Sequence, residues 1–282
     1  IKQCKNNRKQ TASHNERDLA RKRRHQAYYG NNGLDRKCRQ ERGFGMITFN
    51  GQSSDDFYML LEGNVHFPSP SRESEFVKIR GQDGETNTGD GTLNNVEVPF
   101  PFRVRTPQAV DIKEVATDIS NWLKKDNLWH DLIFEGDDEY VYRACYVDEY
   151  DLERVVSWYG KVVLTFKCKP YKYLASGLLE SQLKSTLTNT TNRIAKPKLT
   201  IKGTGNVTVK IGESVLTIKG MDGGCVVDTL YSQATSLDGS RAIWDKITTW
   251  PLPTIAPGKQ VVTVTGNVTD IRIIPRWEVI VG

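Results

Sequence analysis

From residue 46 onward, apolar and polar positions alternate in short runs broken by turn residues, the period-2 signature of half-buried strands. Ile47-Thr48-Phe49 runs into Asn50-Gly51, a dipeptide that tolerates positive φ. Phe57 to Leu61 and Phe76 to Ile79 are further strand candidates. Between them, Phe67-Pro68-Ser69-Pro70-Ser71 must be loop, because proline cannot donate to a ladder. Residues 81–95, rich in Gly and Asx, predict a long loop or splayed hairpin. Val96 to Val104 is extended again, with Pro99 and Pro101 keeping it near a sheet edge. Strands resume at Tyr140 to Val147, Glu153 to Trp158 and Lys161 to Lys167, and Pro170 is read as the end of a first domain.

One stretch changes period. Ile112, Val115, Ala116, Ile119, Trp122 and Leu123 fall on one face of a 3.6-residue repeat. Asp111 is placed to cap this helix, Glu114 sits in the capping-box position, and Lys124 and Lys125 follow at the C-terminal end. The helix is expected to cover one face of a sheet.

Residues 175–196 read as a connector with room for one strand. Beyond Pro197 the alternation is regular: Leu199 and Ile201 share a face, as do Val207, Val209 and Ile211, then Leu216 and Ile218. Leu-Thr-Ile-Lys-Gly occurs at 199–203 and 216–220, and Thr-Gly-Asn-Val-Thr at 204–208 and 265–269. These copies are too short and irregular for a solenoid and are read as strands entering tight turns of a β-sandwich, closed by Gln260 to Thr265 and Thr269 to Val281.

Composition and charge refine this picture. A chain of 282 residues with 38% hydrophobic content holds two ordinary domains. No apolar run approaches the roughly 18 residues that cross a bilayer, so membrane insertion is not expected. The five cysteines are scattered and never in CxxC spacing, which disfavours a disulfide framework or zinc site; Cys145 and Cys168 are expected as small core residues. Residues 1–45 carry thirteen of the 39 Lys+Arg and four of the 34 Asp+Glu, a net +9, leaving −4 for the rest. A basic arm for nucleic acid is one reading of that segment. The other, preferred because the chain opens at Ile1 and Met46 precedes the first patterned strand, is a disordered or foreign extension, with Met46 as the natural start.

Candidate chemistry is sparse. Glu135-Gly136-Asp137-Asp138-Glu139 could pair carboxylates, but alternating strand positions around a glycine favour a solvated hairpin tip. Asp83, Asp90 and their glycines lack a calcium-loop register. The glycines of 81–91 precede no helix and follow no phosphate-loop spacing, and no Gly-x-Ser-x-Gly elbow occurs. No metal or cofactor is called for. Tyr231, Trp244, Trp250 and Trp277 are the best case for a sugar contact. Trp277 is expected in the core because it lies in an alternating strand, whereas Trp250, beside Pro251 and Pro253, sits in a loop.

The body resembles the distal tail (Dit) family of siphophage tail components. Ile47-Thr48-Phe49-Asn50-Gly51 with Ser53, Ser54 and Phe57 is similar to the family's opening, and Arg80-Gly81-Gln82-Asp83-Gly84 to a turn of altered order. Asp90 to Asn95, Trp122-Leu123, Asp137-Asp138, Tyr140, Ala144 and Phe166 to Pro170 follow in family order. The resemblance spans most of 46–170, with a weaker continuation to about Ile211; residues 1–45 match nothing in it. It implies a mainly β fold: an N-terminal β-sandwich with one packed helix (46–171), then a C-terminal galectin-like β-sandwich (172–282). It also implies a non-enzymatic virion protein of the tail tip, assembled in the host bacterial cytoplasm. Such a protein forms a homo-hexameric ring that joins the tail tube to baseplate and receptor-binding proteins and lets viral DNA pass. Galectin likeness does not carry sugar binding with it. Candidate ring-interface or lumen residues are Asn50, Gly51, Arg80, Gly81, Asp83, Gly84, Asp90 and Asn94, and Trp250 is the candidate glycan contact. The alternative is a carbohydrate-binding β-sandwich module that contributes directly to host adsorption. Because a basic channel would retain phosphates, the lumen is expected to be neutral or acidic.

Overall fold

A computed structural model of the chain describes residues 45–107 and 110–282. The expectations for residues 1–44, including the basic run Arg21 to Arg24, lie outside them. In chain order the first strands are β1 (Ile47–Phe49), β2 (Gln52–Ser53), β3 (Met59–Leu61), β4 (Phe76–Val77), β5 (Thr86–Asn87) and β6 (Val96–Arg105). Helix α1 (Ile112–Leu123) follows, then β7 (His130–Phe134), β8 (Tyr140–Cys145), β9 (Leu152–Val156) and β10 (Tyr159–Leu174). The remainder is all strand and turn: β11 (Ser181–Gln182), β12 (Thr186–Asn189), β13 (Lys198–Ile211), β14 (Ser214–Met221), β15 (Gly224–Asp228), β16 (Gln233–Ser236), β17 (Gly258–Ile274) and β18 (Glu278–Ile280). The chain is mainly β, with α1 as the α-helix among the described residues.

The chain divides into two compact units. One takes the described residues up to Val65, with Phe100–Lys125 and Glu149–Leu164; the other takes His66–Pro99, Asp126–Asp148 and Thr165–Gly282.

In the first unit, Asn50 and Gly51 both adopt positive φ, 51° and 72°, and close a two-residue hairpin in which Phe49 faces Gln52. This is the turn whose twist matches that of the flanking strands. Phe57, expected in a strand, instead ends a 3-10 turn (Ser54–Phe57). Ser53 and Asp56 form a reciprocal capping box there, so strand geometry begins only at Met59. On α1 the Asp111 carboxylate accepts from the Lys113 N–H at 3.0 Å; the reciprocal bond expected of Glu114 is absent from that cap. The predicted apolar face is buried at Ile112, Val115, Ile119, Trp122 and Leu123. Trp122 stacks on Phe57 with centroids 4.7 Å apart and donates its indole N–H to the Phe49 carbonyl at 3.1 Å, tying the helix to β1. β3 pairs β6 only from Met59↔Val104 to Leu61↔Phe102, so β6 overruns its short partner, as its prolines require.

In the second unit β8 lies between β7 and the later half of β10, all antiparallel. Pro170 does not end its strand. The β8–β10 register shifts between Cys168 and Lys172, and this irregularity accommodates a residue with no N–H to donate. Cys145 and Cys168 are buried as expected, and burial pushes the Cys168 thiol up to about 12.

The sandwich of this unit is built on two long bent strands, β13 and β17. The start of β13 pairs β15 and the end of β17, with β11 and β16 outside them. The end of β13 pairs β14 and the start of β17, with β12 outside. Leu199, Ile201, Val207, Val209, Ile211, Leu216, Ile218, Cys225, Val227 and Ile273 fill one core between the two halves. The two Thr-Gly-Asn-Val-Thr copies are not turns at strand ends. They lie opposite each other, Thr204 facing Asn267 and Thr208 facing Thr265, where the register shifts and both strands bend. A methyl on Gly266, at φ 108°, would collide with the Asn206 carbonyl, and one on Gly203 with that of Asn267. Residues 175–196 hold two short strands, β11 and β12, rather than one. The last strand, β18, does not close the sandwich: it pairs β10, with Tyr171 opposite Ile280 and Tyr173 opposite Glu278.

Gly266→Ala should therefore destabilise the chain by about 2 kcal/mol, from left-handed strain plus the carbonyl clash, lowering Tm by about 5 °C. Gly205→Ala, at φ 79° but in open space, should cost less than half as much. Thermal melts followed by circular dichroism compare the two.

Candidate functional site

The expected residues fall into three places. Asn50 and Gly51 form the β1–β2 turn of the first unit. The other six belong to an arm in the second unit, residues 66–95, around the β4–β5 hairpin. Arg80, Gly81, Asp83 and Gly84 lie at its tip, where Gly81 and Gly84 take φ 83° and 85°. Asp90 and Asn94 lie on the returning limb. Trp250 lies in the loop before β17.

The arm is held by its own backbone. The Thr88 N–H donates to the Glu75 carbonyl at 2.7 Å, Glu73 to Thr92 at 2.9 Å and Asn94 to Ser71 at 2.9 Å. Asp90 accepts from the Thr92 N–H and hydroxyl, at 2.9 and 2.8 Å, and these bonds hold its carboxyl below the usual range. Asp90 is thus a turn-building residue, and Asn94 bonds Ser71 across the limb. Residues 71–88 are all exposed, including Phe76 at 60% and Ile79 at 47%. The sequence showed Phe76 to Ile79 as a strand but not its exposure. The one local signal was apolar side chains on both faces, Phe76 and Val77 in succession. In the first unit Val155, Val156 and Trp158 of the β9–β10 hairpin are likewise exposed.

Buried charge in the second unit is used in pairs. Arg276, at φ 56°, donates to both Asp228 oxygens at 2.6 and 2.8 Å and lies over the Tyr231 ring. Burial raises the Asp228 carboxyl, but the Arg276 guanidinium and the N–H groups of Tyr231 and Leu230 outweigh it and leave it below the usual range. Glu278 of β18 accepts from Arg193 Nε at 3.0 Å, and Arg193 lies over Tyr171. Asp137, expected in a solvated tip, accepts from the Tyr142 hydroxyl at 2.6 Å and from Lys172 Nζ at 3.2 Å. Burial, then the Asp137 carboxylate, push the Tyr142 phenol up. Among the described residues no group of three or more His, Cys, Asp or Glu could hold a metal, and no helix is long and apolar enough to cross a membrane.

Trp277 packs half-buried on the sandwich core, and a methyl on Gly177 would stand 2.7 Å from its ring and backbone. Trp250 is 70% exposed, 6.0 Å centroid to centroid from Trp244, which is 40% exposed. The sequence reading missed Trp244 as a partner, since the pairing depends on how the 243–252 loop folds.

A sandwich on two long strands, a helix pinned by a tryptophan and an exposed hairpin arm define a mainly β protein. Residues 52–168 match the family model of the phage tail protein RIFT-related domain. No curated protein matches the chain. Among solved structures it is similar to the crystal structure of SPP1 Dit, described as a paradigm of hub adsorption apparatus in phages that infect Gram-positive hosts. That match has 16% identity and TM-score 0.63, covering 84% of this chain and 99% of that one. A second match is to the phage p2 baseplate in its activated conformation, at 9% identity and TM-score 0.45, covering 82% and 98%. The distal tail resemblance read from the sequence holds at the level of fold.

Asp228→Asn should cost about 3 kcal/mol at pH 7, because it leaves Arg276 buried without its counter-charge. A depressed carboxylate contributes stability that is full above its unfolded pKa of about 4 and is lost as pH falls through the lower folded value. The difference in Tm between parent and variant should therefore shrink below pH 4, as thermal melts across pH would show.

Proposed function

We propose that this chain is a structural protein of a phage tail tip and not an enzyme, closing with copies of itself into a hexameric ring that carries baseplate or receptor-binding proteins and lets viral DNA pass. The observation that carries this reading is the arm of residues 66–95, which exposes Phe76, Val77 and Ile79 to solvent. Apolar side chains on an exposed hairpin, with free strand edges, invite pairing with another chain. A ring uses heterologous contacts, in which one surface of a subunit meets a different surface of the next. The arm and the β9–β10 hairpin are two such surfaces, and a stable contact would bury on the order of 1,200–2,000 Å². The family match of residues 52–168 and the Dit-like fold support the same setting. Residues 46–171 would form the ring and 172–282 the outer sandwich.

The paired use of Asp228, Glu278 and Asp137 supports a role through assembly rather than chemistry, since these buried or half-buried carboxylates are committed to holding strands. The lumen would be neutral or acidic, in line with the −4 balance of the body. A ring structure with Lys and Arg lining the pore would overturn that part.

Light scattering on the full chain should give a particle near six times the chain mass. Phe76→Asp should shift it toward the single chain without lowering Tm by more than about 2 °C, since the side chain is exposed. A parent chain that stays single at every concentration tested would sink the ring.

A further inference from the structure

Trp244 and Trp250 stand out among the exposed apolar residues because they are two, adjacent and rigidly held. Their loop is anchored at both ends by buried side chains, Ile243 and Leu252. Between these anchors it is bonded to β14. The Thr248 N–H donates to the Thr217 carbonyl at 3.0 Å, the Thr217 N–H donates to the Thr249 hydroxyl at 2.9 Å, and Ile247 bridges Ile218. Lys246 Nζ donates to the Gly220 carbonyl at 2.8 Å. The backbone carrying both rings is thus fixed before any ligand arrives, which removes an ordering cost from binding. The indole planes meet at 60°, forming an open angle rather than a stacked, self-satisfied pair.

The surroundings decide the ligand class. A protein-docking core asks for a contiguous apolar patch. Here the two rings alternate with exposed hydrogen-bonding groups: Ser240, Arg241, Asp245 and Thr248. Arg241 and Asp245 pair at 3.9 Å on the surface, both more than 60% exposed, and so keep most of their hydrogen-bonding capacity. Aromatic faces flanked by polar side chains complement a pyranose, which offers C–H faces to the rings and hydroxyls at its edge.

We propose that Trp244 and Trp250 form a binding platform for pyranose sugars, with Arg241, Asp245 and Thr248 as its polar rim. The platform belongs to one chain and requires neither ring closure nor the tail-tip assignment, so its failure and theirs are separable.

The test is calorimetric titration of the full chain with cellohexaose and chitohexaose, whose flat pyranose rings present extended C–H faces. Millimolar affinity for at least one sugar is expected. Trp250→Ala and Trp244→Ala should each weaken it at least about tenfold, the equivalent of about 1.4 kcal/mol. Trp250→Phe should retain most of the binding, and Leu179→Ala, exposed elsewhere, should leave it unchanged. Unaltered thermal melts of the alanine variants exclude unfolding as the cause. No heat with either sugar at millimolar concentration, or equal binding by Trp250→Ala, would overturn the proposal. So would loss of a baseplate-protein contact in Trp250→Ala while neither sugar binds.

Discussion

Backbone groups along a strand must find partners, and in the second unit this constraint organises almost everything else. β10 takes β8 on one side and β18 on the other, so the chain's last strand is used on a strand formed a hundred residues earlier. The bonds continue around it: Leu174 donates to the Trp277 carbonyl, Arg276 to Gly177 and Val281 to Pro170. Gly177 is required because Trp277 occupies the space a side chain would need. The same logic brings β11 and β12 onto β17. Where pairing is local, as in the arm, the hairpin bonds its two limbs to each other and leaves the side chains of residues 71–88 to solvent.

Charge plays a supporting part. Arg276–Asp228 and Arg193–Glu278 both flank the passage from β17 into β18, and each guanidinium also covers a tyrosine ring. Buried pairs add little net stability over apolar packing, but breaking one strands a charge. Here they hold the segment between β17 and β18 against Asp228 of β15 and Arg193 before β13. Lys172 does the same beneath the β7–β8 turn, held by Asp137 and lying 4.1 Å over Tyr140.

This pairing of polar groups accords with the proposed role in assembly. The proposed assembly surfaces are apolar side chains on hairpins, cheap to expose and rewarding to cover. The Trp244–Trp250 pair differs in kind. It is small, rigid and ringed by polar groups, which suits a ligand with its own hydroxyls better than a second protein.

Local chemistry made much of this legible from residues alone. Asn50-Gly51 dictated a primed turn, Asp111 and the 3.6-residue spacing dictated α1, and alternation from Leu199 to Ile218 marked the sandwich core. Trp250 beside two prolines was readable as an exposed loop aromatic. What the residues did not disclose depends on partners distant in the chain. Pro170 looked like a terminator because its tolerance rests on a register shift opposite β8. The Thr-Gly-Asn-Val-Thr copies looked like turns because the constraint on Gly266 is the Asn206 carbonyl of the other copy, some sixty residues away. β18 looked like a sandwich strand because alternation records that a strand has an inside and an outside, not which sheet it joins. Periodicity and turn chemistry act within a few residues, so the amino-acid order determined the elements by itself. Strand pairing is settled by the competition of all available edges in the folded chain, so only the tertiary structure decided which edges met.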